Sequence, residues 1–285
     1  MRISVVIPAK NEAAGLSATL PKLREMYPDA EVIVVDDGST DGTVGIAATN
    51  GARVLSLPYS MGNGAAIKRG SRAAMGDVIV FMDADGQHDP SHIAQLIEKC
   101  DEGYDMVVGA REGSGQASFH RGLANTVYNK LASAMTGHAI ADLTSGFRAV
   151  RADKFREFLH LLPNGFSYPT TSTMAFFRSG YTVAYVQIPV GRRMGAASHI
   201  RPIKDGVRFL LIIFKIATLY SPLKLFVPAS GIFVLLGLGY YAWTFTTEHR
   251  FTNMSLLLLS AAVIIFLIGL ISEQITSLTY QRQGD

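Results

Sequence analysis

From Ile3 to Gly109, short runs rich in Val and Ile alternate with longer stretches of helical periodicity, the pattern of βα units around a mostly parallel sheet. The runs ISVVIP, EVIVV, RVLSL, DVIVFM and DMVVG are the predicted strands. Helices are predicted near 12–26, 43–50, 64–75 and 90–101, the last with Asp89 as N-cap and Pro90 in the first helical position. Residues 110–200 are less regular. They predict a helix around 122–136 and a strand pair formed by GFRAVR and TVAYVQIPV. Internal repeats and low-complexity tracts are absent.

After residue 224 the alternation gives way to two long apolar runs, 225–245 and 254–272. Each approaches the roughly 20 residues that span a hydrocarbon core. The pair predicts a transmembrane hairpin. Its flanks carry Arg201, Lys204, Arg208, Lys215, Lys224 and Arg282, whereas the link carries only Arg250. The positive-inside rule therefore predicts a multi-pass integral membrane protein with its N-terminal domain and both termini in the cytoplasm. Residues 203–219 are strongly apolar yet carry Lys204, Arg208 and Lys215, which fall on one narrow face at about 100° per residue. That is the pattern of an interfacial helix with a basic stripe toward anionic lipid, or of a core helix with one solvated face. The expected organisation is a domain over 1–200, an interfacial helix over 201–221 and the hairpin over 222–285.

Composition sharpens this division. Charged residues are 17% of the 285, and between 225 and 272 almost nothing charged appears apart from Glu248, His249 and Arg250. The single cysteine, Cys100, excludes an intrachain disulfide and fits a reducing compartment. The opening ISVVIPA run is too short for a signal-peptide core. A net charge of +3, without interleaved aromatic and basic residues, gives no indication of nucleic acid as a partner.

Chemistry is expected beyond the carboxyl ends of the strands, where open parallel sheets bind ligands. Three predicted strands run there into IPAKNE, VVDDGSTDGT and FMDADGQHD. Asp83 and Asp85 stand two apart, a spacing that lets both carboxylates face one way. Such hard oxygen donors suit Mg²⁺ or Mn²⁺ shared with phosphate oxygens, with Gln87 and His88 nearby; an Asp-rich turn is the plain alternative. Asp36 and Asp37 can accept hydrogen bonds from a ribose or nucleobase, while GSTDGT is also good turn and capping chemistry. Gly62, Asn63 and Gly64 open a helix that contains Lys68 and Arg69, either a ligand-binding amide cluster or a simple loop.

Together these elements resemble the family 2 glycosyltransferases of GT-A fold. Pro8, Asn11 and Glu12 match that family's opening motif. Asp36, Asp37, Gly38 and Ser39 match its nucleoside-binding DDGS, and Asp83, Ala84 and Asp85 its metal-binding DXD. Within it, DADGQ, Arg111 in GAR, Arg121 and DLTSGFR from Asp142 to Arg148 resemble the dolichol-phosphate mannose synthases and bacterial polyprenyl-phosphate glycosyltransferases. The resemblance covers about residues 1–200, and the hairpin matches two-span members in layout. It implies a nucleotide diphosphate sugar donor, a polyprenyl phosphate acceptor and a divalent cation at Asp83, Asp85 and Gln87. It further implies nucleotide contacts from Pro8, Asn11, Glu12, Asp36, Asp37, Lys68, Asp83 and Ala84. Acceptor-phosphate contacts would come from Arg111, Arg121, Ser145, Arg148, Arg192, Arg193 and Ser198. The chain departs from the family at RRMGAASHI, where Gly195 and Ser198 are one residue further apart than usual and His199 replaces Lys. Which of Arg192 and Arg193 contacts phosphate stays open.

The implied reaction is an inverting displacement at the anomeric carbon. A hydroxyl acceptor would need a general base, for which Asp142 is the candidate, although Asp142 equally suits a turn cap. A phosphate acceptor, already ionised with a second pKa of about 6, would need cations instead, and Arg121, Arg148, Arg192 and Arg193 are the candidates; the catalytic set is Asp85, Asp142 and Arg121. A processive polysaccharide synthase would carry QXXRW, but the only tryptophan, Trp243, lies in an apolar run. A nucleotidyltransferase would carry a glycine-rich opening after the first strand. A hydroxyl acceptor, a catalytically silent membrane-tethered module and a homo-oligomer all remain compatible with the sequence.

Overall fold

The computed structural model describes residues 1–111, 119–165, 167–189, 214, 218 and 220–281. The chain divides into two compact units, 1–209 and 210–285. In the first, seven described strands form one sheet in the order β3-β2-β1-β4-β6-β5-β7. They are β1 (Ile3–Ala9), β2 (Glu31–Asp36), β3 (Arg53–Ser56), β4 (Val78–Phe81), β5 (Met106–Arg111), β6 (Arg148–Arg151) and β7 (Val183–Ile188). β6 runs antiparallel to both neighbours, and every other pairing is parallel.

Burial explains the strand sequences. Val5, Val6 and Ile7 of β1 and all four residues of β4 are fully enclosed, so both strands read as unbroken apolar runs covered on two faces. β3 lies at the sheet edge, and there Arg53 and Ser56 are exposed. The helices α1 (Ala13–Met26), α2 (Thr43–Thr49), α3 (Asn63–Ala73) and α4 (Ile93–Asp101) pack around this framework. In α1, Leu16, Leu20 and Leu23 recur at helical spacing and are fully buried. Asp89 caps as expected, its carboxylate accepting from the Ser91 amide at 2.9 Å, although Pro90–His92 forms a 3₁₀ turn before α4 begins.

The second half departs from expectation. β6 and β7 do not pair; β6 inserts between β4 and β5, and β7 pairs with β5. Periodicity identifies strands but carries no information on which strand is the partner. The helix expected at 122–136 is α5 (Phe119–Thr136), while α6 (Ala152–Glu157) and α7 (Tyr168–Arg178) were not foreseen. Nine of the eleven α7 residues are buried, four of them Ser or Thr, so α7 shows no amphipathic stripe.

The second unit contains α8 (Leu223–Glu248) and α9 (Asn253–Gln281), joined by a short link with His249 at φ 51°. Both are long and apolar enough to cross a membrane. α9 continues past the predicted end at 272 because SEQITSLTYQ holds no Gly or Pro to stop it. The helices are clasped by polar contacts: Ser230 Oγ donates to the Ala262 carbonyl at 2.8 Å, and the Leu223 amide donates to Glu273 Oε2 at 3.3 Å. Leu235, Trp243, Leu257 and Ile271 remain outward and exposed. The expected interfacial helix, with Lys204, Arg208 and Lys215, lies outside the described residues.

Candidate active site

β1 leads to β2 on one side and adjoins β4 on the other, so the carboxyl ends of these strands border a topological switch point. A cavity of about 410 Å³ opens there. Pro8, Ala9, Lys10 and Glu12 reach it from the end of β1, Asp37 from β2, and Asp83, Ala84 and Asp85 from β4; Ser60, Gly62, Asn63 and Ala66 complete the wall. Gly15 lets α1 approach this region closely, because any Cβ there would collide with the Ala84 carbonyl.

Several predicted nucleotide residues organise the rim without lining it. Asn11, at φ 55°, donates its amide to Ser39 Oγ at 2.9 Å and accepts from the Thr40 amide at 2.8 Å, tying the β1 and β2 loops together. Buried Asp36 accepts from the Ser39 amide at 3.0 Å. Asp37 accepts from Ser60 Oγ at 2.8 Å and from the amides of Met61 and Gly62, and Lys10 donates to the same Ser60 hydroxyl at 2.9 Å. Asp37 therefore shapes the loop that walls the cavity as well as facing it. The Lys10–Ser60 arm is not legible from sequence, since Ser60 belongs to no motif and the two residues stand 50 positions apart.

Lys68 does not reach the cavity. Its ammonium donates to the Leu162 carbonyl at 3.2 Å and to Asn164 Oδ1, and burial followed by the nearby Arg72 lowers its pKa. The amides that open α3 are engaged as well: Gly64 donates to the Gly165 carbonyl and Ala65 to that of Asn164. The Lys68 ammonium is thus turned to the 162–164 loop, whereas Gly62 and Asn63 at the start of the helix line the cavity.

The acid pair sits on a tight turn in which the Gln87 amide donates to Asp85 Oδ1 at 3.1 Å. Among the described residues no group of three or more His, Cys, Asp or Glu could hold a metal by itself. Two aspartates beside an open cavity nonetheless fit a hard cation completed by phosphate oxygens. His88 is buried, 3.9 Å from Asp83 Oδ2, and stacked on Phe147 at 4.9 Å between ring centroids. Burial pushes its pKa down to about 4, so it is neutral at pH 7.

Beyond β5, Arg111 and Asp142 form a two-pronged ion pair of 2.7 and 3.0 Å. Arg111 also reaches Thr144 Oγ1, and Asp142 accepts from the amides of Thr144 and Ser145. Burial alone would raise the Asp142 pKa, but the Arg111 guanidinium and the amides of Thr144 and Arg111 outweigh it and hold the carboxyl below its usual value. Ser145 is buried. Arg148 is fully enclosed, with its guanidinium spent on the carbonyls of Ser145 and Pro169 and the hydroxyls of Ser172 and Thr173. A direct acceptor contact by Arg148 is contradicted by this burial. Its sequence position in TSGFR could not reveal that the strand turns it inward. Arg192, Arg193, Ser198 and the side chain of Arg121 lie outside the described residues.

Comparison with known proteins places these features. Residues 4–159 match the profile of "Glycosyl transferase family 2", and residues 221–278 that of the "GtrB C-terminal hairpin". The hairpin match and the two long apolar helices mark the chain as a membrane protein. An undecaprenyl-phosphate mannosyltransferase of Micrococcus luteus is 33% identical over 213 residues, 68% of this chain and 86% of that protein. An undecaprenyl-phosphate 4-deoxy-4-formamido-L-arabinose transferase of Aeromonas hydrophila subsp. hydrophila is 36% identical over 52% of this chain, and the match spans about half (48%) of that relative. Among solved structures, glucosyl-3-phosphoglycerate synthase from Mycobacterium tuberculosis in complex with Mn²⁺ and UDP-glucose superposes with a TM-score of 0.61 at 26% identity, covering 76% of this chain and 78% of that one.

Proposed function

Since the chain belongs to glycosyl transferase family 2, we propose that it transfers a hexose from a nucleotide diphosphate sugar to a polyprenyl phosphate at the cytoplasmic face of a membrane, with inversion. The observation that carries this reading is the convergence of Asp83 and Asp85 on a cavity at the sheet's switch point, in a chain that also holds two helices of membrane-spanning length. The M. luteus relative, an undecaprenyl-phosphate mannosyltransferase by name, supports the acceptor class, and the Mn²⁺–UDP-glucose complex supports the donor and cation.

In this reading Asp83 and Asp85, with Gln87, hold Mg²⁺ or Mn²⁺. When bound, that ion supplies charge neutralisation for the departing diphosphate. Pro8, Glu12, Asp37 and Ala84 surround the nucleotide directly, while Asn11 and Asp36 fix the loops that do so. Asp142, ionised and held by Arg111, acts as an anchor for that arginine rather than as a general base. A phosphate acceptor brings its own charged oxygen and removes the need for a base. Arg111, Arg121, Arg192, Arg193 and Ser198 are the proposed phosphate-side groups, and buried Arg148 with Ser145 shapes the segment that carries Asp142. In this reading the hairpin gives the polyprenyl tail an apolar surface in the bilayer, and the charge bias across the link supports a cytoplasmic side for both termini.

A release assay tests the acceptor class. Purified protein is given a panel of UDP- and GDP-sugars with undecaprenyl phosphate or with the matching prenol, and free nucleoside diphosphate is followed. Release is expected only with the phosphate, and chelation should abolish it. Equal release with the prenol would replace the phosphate acceptor by a hydroxyl one.

A further inference from the structure

The segment joining Asp142 to β6 touches the acid pair directly. A Cβ at Gly146 would lie 2.8 Å from Asp83 Oδ2, 3.0 Å from Oδ1 and 3.2 Å from Cγ, so the main chain at 146 is a wall against which that carboxylate rests. The wall is itself fixed on both sides. The Gly146 carbonyl accepts from Tyr168 Oη at 3.1 Å, and the preceding Ser145 carbonyl accepts from Arg148 Nε at 3.2 Å and from its Nη2. Phe147, next in sequence, stacks on His88, whose Nε2 is 3.9 Å from the same Asp83 oxygen.

Arg148 explains why the wall does not give way. It is fully buried, and through Pro169, Ser172 and Thr173 at 3.0, 3.0 and 3.1 Å it ties the segment to α7. Burying a guanidinium among neutral partners is costly, and an apolar side chain of similar volume would fill the same space without that cost. What the arginine adds is a fork of donors that fixes the Ser145 carbonyl, one residue from the wall.

We propose that Gly146, held in place by Arg148, is a positioning residue for Asp83: its missing side chain sets where that carboxylate stands relative to the cation of a metal–diphosphate ligand. This rests on the reading of Asp83 and Asp85 as the cation site. Gly146 is not among the glycines with positive φ, so alanine is conformationally permitted there. The three atoms nearest to such a Cβ all belong to the Asp83 carboxylate, the end of a side chain that can rotate aside. Gly146→Ala therefore folds and acts by moving Asp83.

The test is titration calorimetry on the full chain in detergent, using Mn²⁺ with UDP and Mn²⁺ with GDP as probes. Undecaprenyl phosphate binding and thermal unfolding are measured alongside. Gly146→Ala is expected to weaken Mn²⁺–nucleotide binding about tenfold, the scale of losses from residues that orient metal ligands. Metal-free nucleotide binding, lipid-phosphate binding and Tm should stay at wild-type values. Arg148→Met should shift the same Mn²⁺-dependent binding in the same direction. Asp83→Ala separates the two levels of the argument. If it abolishes Mn²⁺-dependent binding while Gly146→Ala leaves it intact, the positioning role is overturned and the cation site stands. If Asp83→Ala changes nothing, the cation site itself is overturned. A Gly146→Ala protein that loses nucleotide, metal and lipid binding alike has a general folding defect, which also overturns the positioning role.

Discussion

The two halves of the sheet edge use their charged residues differently. On the β1–β2–β4 side, short carboxylates stand at strand ends and face an open cavity. On the β5–β6 side, long cations are turned onto the protein itself: Arg111 grips Asp142, and Arg148 is fully enclosed. An aspartate carboxyl lies two bonds from its Cα, so the local backbone largely sets where it can stand. An arginine can reach any acceptor within several ångströms, so its position in a motif does not determine its partner. The cavity side therefore leaves carboxylates facing open space, whereas the guanidiniums of Arg111 and Arg148 are engaged by the protein itself.

The sharpest way to break this contrast is to remove a cavity carboxylate. Asp85→Ala should lower sugar transfer at least about a hundredfold, since neutralising a leaving diphosphate is worth several kcal/mol. Transfer rates near wild type would remove Asp85 from the chemistry. The scaffold side should respond in stability instead. Arg148→Met takes the guanidinium donors away from the buried Ser145 carbonyl, while Pro169, Ser172 and Thr173 keep the bonds among themselves, and should cost about 1–2 kcal/mol in denaturant unfolding.

Asp142→Asn sharpens the comparison further. As the Arg111 anchor, its loss should raise the KM for lipid phosphate about tenfold, the scale of a lost charge-assisted pair. A general base would instead show a collapse in kcat at unchanged KM. The pH profile separates the same alternatives. The Asp142 pKa is held low, so its contribution to stability is present above the usual carboxylate value and lost only as pH falls below about 4. An acid limb in kcat/KM for the acceptor should therefore appear near pH ~6, from protonation of the phosphate monoester, and persist in Asp142→Asn. The smallest effect is expected at Lys68, whose ammonium is engaged by the 162–164 loop. Lys68→Met should change nucleotide affinity by less than about threefold while costing about 1 kcal/mol of stability.

These differences also mark what the sequence could show. Strand runs such as VIVF and the acid residues following them were legible, because a buried parallel strand must be apolar and a ligand edge must be polar. The β6–β7 pairing was misread, since alternation in GFRAVR fits any neighbour. The α7 helix was missed because its buried Ser and Thr side chains bond to their own preceding carbonyls or to Arg148 and so mimic a polar loop. Lys68 and Arg148 were misassigned for one reason: each has a long side chain whose target lies in a distant segment. Gly146 carried no signal at all, because its role is an absence of atoms beside Asp83.

The central claim is sugar transfer to a lipid phosphate, and its most direct measurement is radiolabel from a nucleotide sugar recovered in extracted membrane lipid, with Asp85→Ala as the control. Label should enter a chloroform-soluble product that mild acid hydrolyses, and the control should show none. Label found only in polymer, or in a lipid product stable to mild acid, would contradict the phosphate acceptor.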